Sequence, residues 1–301
     1  MTERTIVITG ATGTVGLPVA LALARNNEVW APARFSDDRA RAALEAAGVH
    51  CVRCDLASGD FDGIPRQIDH LVHFARPAEP ASGSFDEAMT GHAEAVGLLM
   101  AHCQDAGSML HCSSTSLYRR GAVPSTEADP LTDDRHPGRP TYTIGKIGAE
   151  AVVRTMARAL DIPTVIARLN VPYGDHGGWP AIHLEAIAAG RSIPLHEQRP
   201  NQFNPIHTDD IIRTIPILLD TAAVPAPIVN WAGPDIVSIE DWSTYIGSLI
   251  GRAPTFEVSP NATEGMTVDT GKLVAMAGPG FVDWRDGMRR MVLARHPELL
   301  S

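Results

Sequence analysis

The chain has 301 residues, 44% of them hydrophobic, and 25 Lys and Arg against 35 Asp and Glu give a net charge of −10. The apolar fraction is ample for a sizeable core in one large domain or two, and the acidic balance argues against nucleic acid, whose phosphates must be neutralised by Lys and Arg. No apolar run reaches the roughly 20 residues that span a bilayer. The N-terminus enters a strand at once, so no secretory signal is expected, and four cysteines make no disulfide framework in a chain this long. These features predict a cytoplasmic protein with neither a membrane nor a nucleic-acid partner.

In chain order, residues 4–9 form a β-branched run that suits a buried parallel strand, and residues 17–24 are an Ala/Leu-rich helical stretch. Between them lies Thr9-Gly10-Ala11-Thr12-Gly13-Thr14-Val15-Gly16, a glycine-punctuated turn with the spacing G-x-x-G-x-x-G. Strand, glycine turn and helix are the context that a dinucleotide-binding fingerprint requires. Gly10 permits the sharp turn, Gly13 lets backbone approach a pyrophosphate, and Gly16 lets the helix pack close to the strand. The N–H groups of Thr12, Thr14 and Val15 and the positive helix end then face the phosphates.

A second strand over residues 28–33 ends at Arg34, and no acid follows until Asp37. An acid here bonds a ribose 2′-hydroxyl and an arginine accommodates a 2′-phosphate, so NADP is favoured over NAD. A helix is expected over 37–48 and a third strand over 49–53, leading to Asp55-Leu56. Asp55 suits either the adenine amino group or a plain N-cap. Cys51 and Cys54 have C-x-x-C spacing but sit in a strand without a second pair, and no metal is expected. Strands over 68–74 and 109–112 flank a helix over 85–106, and Ser113-Ser114-Thr115-Ser116 follows at the sheet edge where ligands of open α/β sheets sit.

Tyr142 opens a helix expected to reach residue 160, and Lys146 lies one turn on, on the same face. A nearby ammonium favours phenolate over phenol, which a tyrosine must approach to exchange protons near neutral pH. Ser114 is placed to bond and orient a substrate oxygen. Further helices are expected over 182–189, 208–220 and 239–250, with a returning strand over 228–231. The alternation predicts an α/β, Rossmann-type doubly wound parallel sheet. Residues 1–170 with about 205–233 form the dinucleotide-binding domain, and 171–204 with about 234–301 form a smaller substrate-binding region. The charged, proline-containing loop 119–140 is expected to cover the active site.

On these motifs the chain resembles the extended short-chain dehydrogenases/reductases of the NAD-dependent epimerase/dehydratase group. The resemblance rests on the glycine turn, Asp55-Leu56, Ser113-Ser114, Tyr142-Thr143-Ile144-Gly145-Lys146, Arg168-Leu169-Asn170-Val171-Pro172-Tyr173-Gly174 and Asn204-Pro205-Ile206-His207-Thr208-Asp209-Asp210, over residues 5 to about 240. It implies Ser114, four residues before Tyr118, as the catalytic serine, with Thr115 as fallback. It also implies cofactor contacts at Phe74, Ala75 and Val171, ribose contact by Lys146, substrate contact at Asn170, and a homodimer through helices 85–106 and 142–160, whose Val96, Leu99, Ile147 and Val153 exceed what one sheet covers. Arg76 stands where the family commonly has a small residue. Arg76 and Arg199 are candidate substrate contacts, and Glu127, Trp179 and His207 are further pocket candidates.

The reading that follows is an NAD(P)-dependent oxidoreductase acting on a secondary alcohol or ketone of a small-molecule substrate. A nucleotide-sugar epimerase with tightly held NAD and a non-catalytic NADP(H) sensor are the alternatives. A 4,6-dehydratase fits less well, because Thr115-Ser116 supplies no carboxylate for eliminating water.

Overall fold

In the sheet strands, alternate residues divide between two covered faces, as the two-residue period of a strand requires. Ile6 and Ile8 of β1 (Thr5–Thr9) join one buried layer and Val7 joins the other. Leu110 and Cys112 oppose Met109 in β5 (Ser108–Ser114) in the same way, and Val165 and Ala167 oppose Ile166 in β6 (Thr164–Leu169). The computed structural model describes residues 1–133 and 138–299. With β2 (Glu28–Ala33), β3 (His50–Arg53), β4 (His70–His73) and the strand Ile228–Trp231, these form a seven-stranded sheet. Its order is Ile228–Trp231, β6, β5, β4, β1, β2, β3, and all neighbours are parallel.

Helices α1 (Gly16–Leu23) and α2 (Asp38–Ala46) cover one face together with Thr208–Asp220. The other face is covered by α3 (Phe85–Met89), a π turn (Thr90–Glu94), α4 (Ala95–His102) and α5 (Tyr142–Leu160). The chain order reverses between β1 and β4, the switch point at which such sheets bind ligands.

The doubly wound architecture agrees with the sequence expectation, and several boundaries do not. Helix 85–106 is broken by the π turn and ends at His102. The interruption lies where α5 comes closest: a Cβ at Gly145 would stand 2.5 Å from His92, and one at Gly148 would stand 2.9 Å from the Met89 sulfur. The Ala/Gly-rich segment carries too little polarity contrast for its periodicity to register the inserted residue. The strand expected over 109–112 runs on through Ser113 and Ser114. Helix α6 (Trp179–Ala188) begins three residues before the expected 182, with Pro180 in its first turn, a position that proline favours. Val96, Leu99 and Val153 are fully buried within this one chain, so they do not form a surplus apolar face; on α5, Ile144 remains 44% exposed and Ile147 half-buried.

After β6 the chain builds a second core. A strand at Val171–Gly174 pairs in parallel with Pro205–His207 and antiparallel with Gly177–Gly178. Tyr173, Leu184, Phe203, Trp242, Met288 and Met291 pack together there. Two helices were not anticipated from the sequence: Trp284–Arg295, which packs in this second core, and Gly271–Ala277, whose Leu273 packs in the first.

Candidate functional site

Gly10 ends β1 with φ +69°, and a Cβ there would come within 2.7 Å of the backbone after β4, at Phe74 and Ala75. Glycine is required on both counts. The Thr9 hydroxyl, shared between His73 Nδ1 at 2.9 Å and the Ala75 amide at 3.2 Å, ties the two strand ends together. Gly16 lies against the Gly10 carbonyl, so its bareness serves the turn itself. Gly13 differs. A Cβ there would meet only the Gly10 oxygen, at 3.3 Å, and Gly13 and Thr14 are exposed beside an α1 N-terminus that no side chain caps. Bare glycine, open face and uncapped helix end fit a pyrophosphate. At the end of β2, Arg34 is exposed and its carbonyl accepts from the Arg53 guanidinium at 2.8 Å. Asp37 caps α2, and Asp55 accepts from the Ala57 amide at 3.2 Å.

Two elements meet at the edge of β5. Lys146 is buried, and its ammonium donates to the Cys112 carbonyl at 2.8 Å. That bond seats α5 against the strand end, two residues from Ser114. The Ser114 hydroxyl lies 2.9 Å from that of Ser116 and accepts from the Ser116 amide at 3.2 Å. Tyr142, the first residue of α5, is half-buried. The Arg76 and Arg139 guanidiniums lie 5.8 and 5.1 Å from its ring centre, and His92 meets it edge-on at 6.0 Å. Tyr118 has a different role. Its hydroxyl donates to Asn230 at 2.6 Å, and burial pushes the phenol up to about 12 against the pull of Arg168.

Beneath the site lies an ion pair that the sequence reading did not single out. Glu150 of α5, fully buried, accepts from Ser113 Oγ at 2.5 Å and from Arg168 Nε and Nη2 at 2.9 and 2.7 Å. Burial pulls the Arg168 guanidinium down, but the hydrogen bonds and charge of Glu150 more than offset this and leave it raised. The available signal was spacing, since Glu150 is four residues beyond Lys146 on the same helix face.

Three histidines surround Lys146. Burial, then the Lys146 charge, lowers His73 and His92 to about 3, and burial, then the His73 charge, holds His111, stacked on His73 at 5.3 Å, well below its ordinary value. His183 is held to about 4 by burial alone. Each folded-state value lies below the ordinary 6.5, so below pH 6.5 the unfolded chain takes up protons that the folded chain refuses. Stability is therefore expected to be full above about pH 6.5 and to fall as the pH drops towards 4, by up to about 1.4 kcal/mol per pH unit for each histidine. Urea midpoints at pH 7, 6 and 5 check this, and a flat profile would contradict it.

The expected substrate residues do not all converge. Asn170 donates to the Met266 carbonyl at 3.0 Å and accepts from the Asn204 amide at 3.3 Å, so its amide knits the second core to the sheet edge. The Thr115 hydroxyl faces the Leu169 carbonyl at 3.5 Å. Arg199 is paired with Glu240 at 3.4 Å. Glu127 accepts from the Asn230 amide at 2.9 Å, and Trp179 packs on Phe203, His183 and Trp242. His207 caps the helix Thr208–Asp220 through the Asp209 amide at 3.1 Å. No helix among the described residues is long and apolar enough to cross a membrane.

Comparison with known proteins agrees with this fold. Residues 6–232 match the NAD dependent epimerase/dehydratase family. No curated protein sequence matches the chain. Among solved structures, it is similar to the UDP-glucuronic acid 4-epimerase of Bacillus cereus in complex with NAD and a fluorinated UDP-glucuronic acid, at 19% identity and TM-score 0.82, covering 95% of this chain and 97% of that one. The UDP-glucose 4-epimerase of Thermotoga maritima with UDP-glucose matches at 14% identity and TM-score 0.83, over 98% and 99% of the chains. DesIV, a dTDP-glucose 4,6-dehydratase of Streptomyces venezuelae with NAD and TYD bound, matches at 20% identity and TM-score 0.79, over 97% of both.

Proposed function

Because the chain belongs to the NAD dependent epimerase/dehydratase family, we propose that it moves hydride between a bound pyridine dinucleotide and a secondary alcohol or ketone carbon, with a nucleotide sugar as substrate class. The observation that carries the reading is the Lys146 bond to the Cys112 carbonyl, which joins the helix bearing Tyr142 to the strand bearing Ser114. Gly10, Thr12, Gly13, Thr14, Val15 and Gly16 would hold the pyrophosphate, and Phe74, Ala75 and Val171 would flank the redox end. The dinucleotide supplies or accepts the hydride. Ser114 orients the substrate oxygen, Tyr142 gives or takes its proton, and Lys146, one turn along the same helix, would hold the nicotinamide ribose. The region after Val171 shapes the substrate pocket. A cytoplasmic homodimer through α5, with Ile144 and Ile147 at its centre, belongs to the same proposal.

Two versions of this chemistry make different demands on the cofactor. A reductase exchanges it at every turnover, whereas an epimerase returns the hydride and keeps it. Arg34, with Arg53 against its carbonyl and no competing acid, favours a 2′-phosphate and so NADP. The nucleotide-sugar complexes named for near full-length neighbours favour the epimerase. Denaturing the purified protein and identifying the released nucleotide separates the two. Retained NAD with turnover of a UDP-sugar and no added cofactor indicates the epimerase; an empty protein that binds added NADP better than NAD, and loses that preference in Arg34→Asp, indicates the reductase. A protein that neither retains nor binds any dinucleotide would sink both.

A further inference from the structure

Charge is distributed unevenly around Tyr142. The chain carries ten more acids than Lys and Arg, and among the described residues some arginines, such as Arg25 and Arg66, find no carboxylate while Arg4, Arg41, Arg199 and Arg290 each find one. Arg76 and Arg139 do not: among the described residues neither pairs with an acid, and the one hydrogen bond of the Arg76 side chain goes to the Pro77 carbonyl at 3.3 Å. Both are exposed, and both lie over the ring of Tyr142. Glu79, an acid on this flank, is held by the Thr141 amide and hydroxyl at 2.8 and 2.7 Å, at the start of α5. Lys146 adds a third cation one turn along the helix. His92 responds to this field, since after burial the charges of Lys146 and Arg76 depress it.

Two unpaired guanidiniums beside a group that meets substrate form a receptor for a planar anion, because the guanidinium fork matches a carboxylate with two parallel hydrogen bonds. We infer that the substrate carries a carboxylate next to the carbon that gains or loses hydride, and that Arg76 and Arg139 hold it. This rests on the nucleotide-sugar reading above, in which the Tyr142 hydroxyl meets the reacting oxygen. A substituent on the neighbouring carbon then falls beside the arginines that flank the ring. It also gives a purpose to Arg76, which stands where the family commonly has a small residue.

The test is calorimetric titration of the dinucleotide-loaded protein with UDP-glucuronate and UDP-glucose, which differ by a carboxylate in place of a hydroxymethyl group. Charge-assisted hydrogen bonds of this kind should give the acid about tenfold or more tighter binding. The double variant Arg76→Gln/Arg139→Gln should bring the acid down to the affinity of the neutral sugar. Equal wild-type affinities, or a preference that survives in the double variant, overturn the inference and leave the nucleotide-sugar reading standing. A loss of binding or turnover on both sugars alike also overturns it, for it would mean that the arginines act only on the phenol. Binding of neither sugar removes both readings.

Discussion

Replacing Tyr142 by Phe is expected to lower turnover by about 10²–10⁴-fold, the contribution of a positioned proton donor, while dinucleotide binding and folding stay close to wild type. The substitution removes one oxygen and keeps the ring between Arg76, Arg139 and His92. The side chain is half-buried, and no hydrogen bond to its hydroxyl occurs among the described residues, so no buried partner is orphaned. Lys146 keeps its bond to Cys112 and the glycine cradle is untouched. Steady-state rates, with dinucleotide affinity measured by fluorescence on the same preparation, separate chemistry from binding. Turnover near that of wild type would remove Tyr142 from the mechanism.

The largest effect on stability is expected from Glu150→Ala. Arg168 is 2% exposed and sits between the Glu150 carboxylate and the ring of Tyr118, 4.7 Å from the ring centre. Its Nη1 already lacks a hydrogen-bond partner. Without the carboxylate the guanidinium would be a buried, uncompensated charge, a state that costs about 3–5 kcal/mol. That is a large part of the 5–15 kcal/mol typical of a folded protein. Arg154, 3.4 Å from the same carboxylate but 37% exposed, can turn to water and does not add to the cost. Removing both charges with Glu150→Ala/Arg168→Met should recover much of the loss, because no buried charge is then left uncompensated and the remaining cost is the Ser113 hydroxyl that loses its acceptor. Urea denaturation of the two variants tests this. A loss under about 1 kcal/mol in the single variant would mean that the pair is hydrated. Activity should fall along with stability, since Ser113, which donates to Glu150, is the neighbour of Ser114 at the edge of β5.

Much of the site was legible because it is encoded over short distances. The glycine turn, the Ser113-Ser114 pair and the Tyr142/Lys146 spacing each lie within one element or one turn. The structure puts all three at the same edge of the sheet. The residues that escaped reading are those whose meaning depends on a partner far along the chain. Arg199 looked available for substrate until Glu240, 41 residues away, was found beside it. Asn170 bonds Met266 across 96 residues. The apolar excess assigned to Val96, Leu99 and Val153 was an error of the same kind, because helix-to-helix packing inside one chain already covers them.

By itself, the sequence determined the parallel sheet, its two helical layers and the glycine turn. Those follow from β-branched runs alternating with helical apolar stretches and from glycine's ready access to positive φ, all of them properties of neighbouring residues. Only the tertiary structure decided which charges are neutralised. Glu150 found Arg168 and Arg199 found Glu240, while Arg76 and Arg139, beside Tyr142, pair with no acid among the described residues. Charge pairing depends on distances through space that no local pattern carries, and those distances bear on which substrate the site can hold.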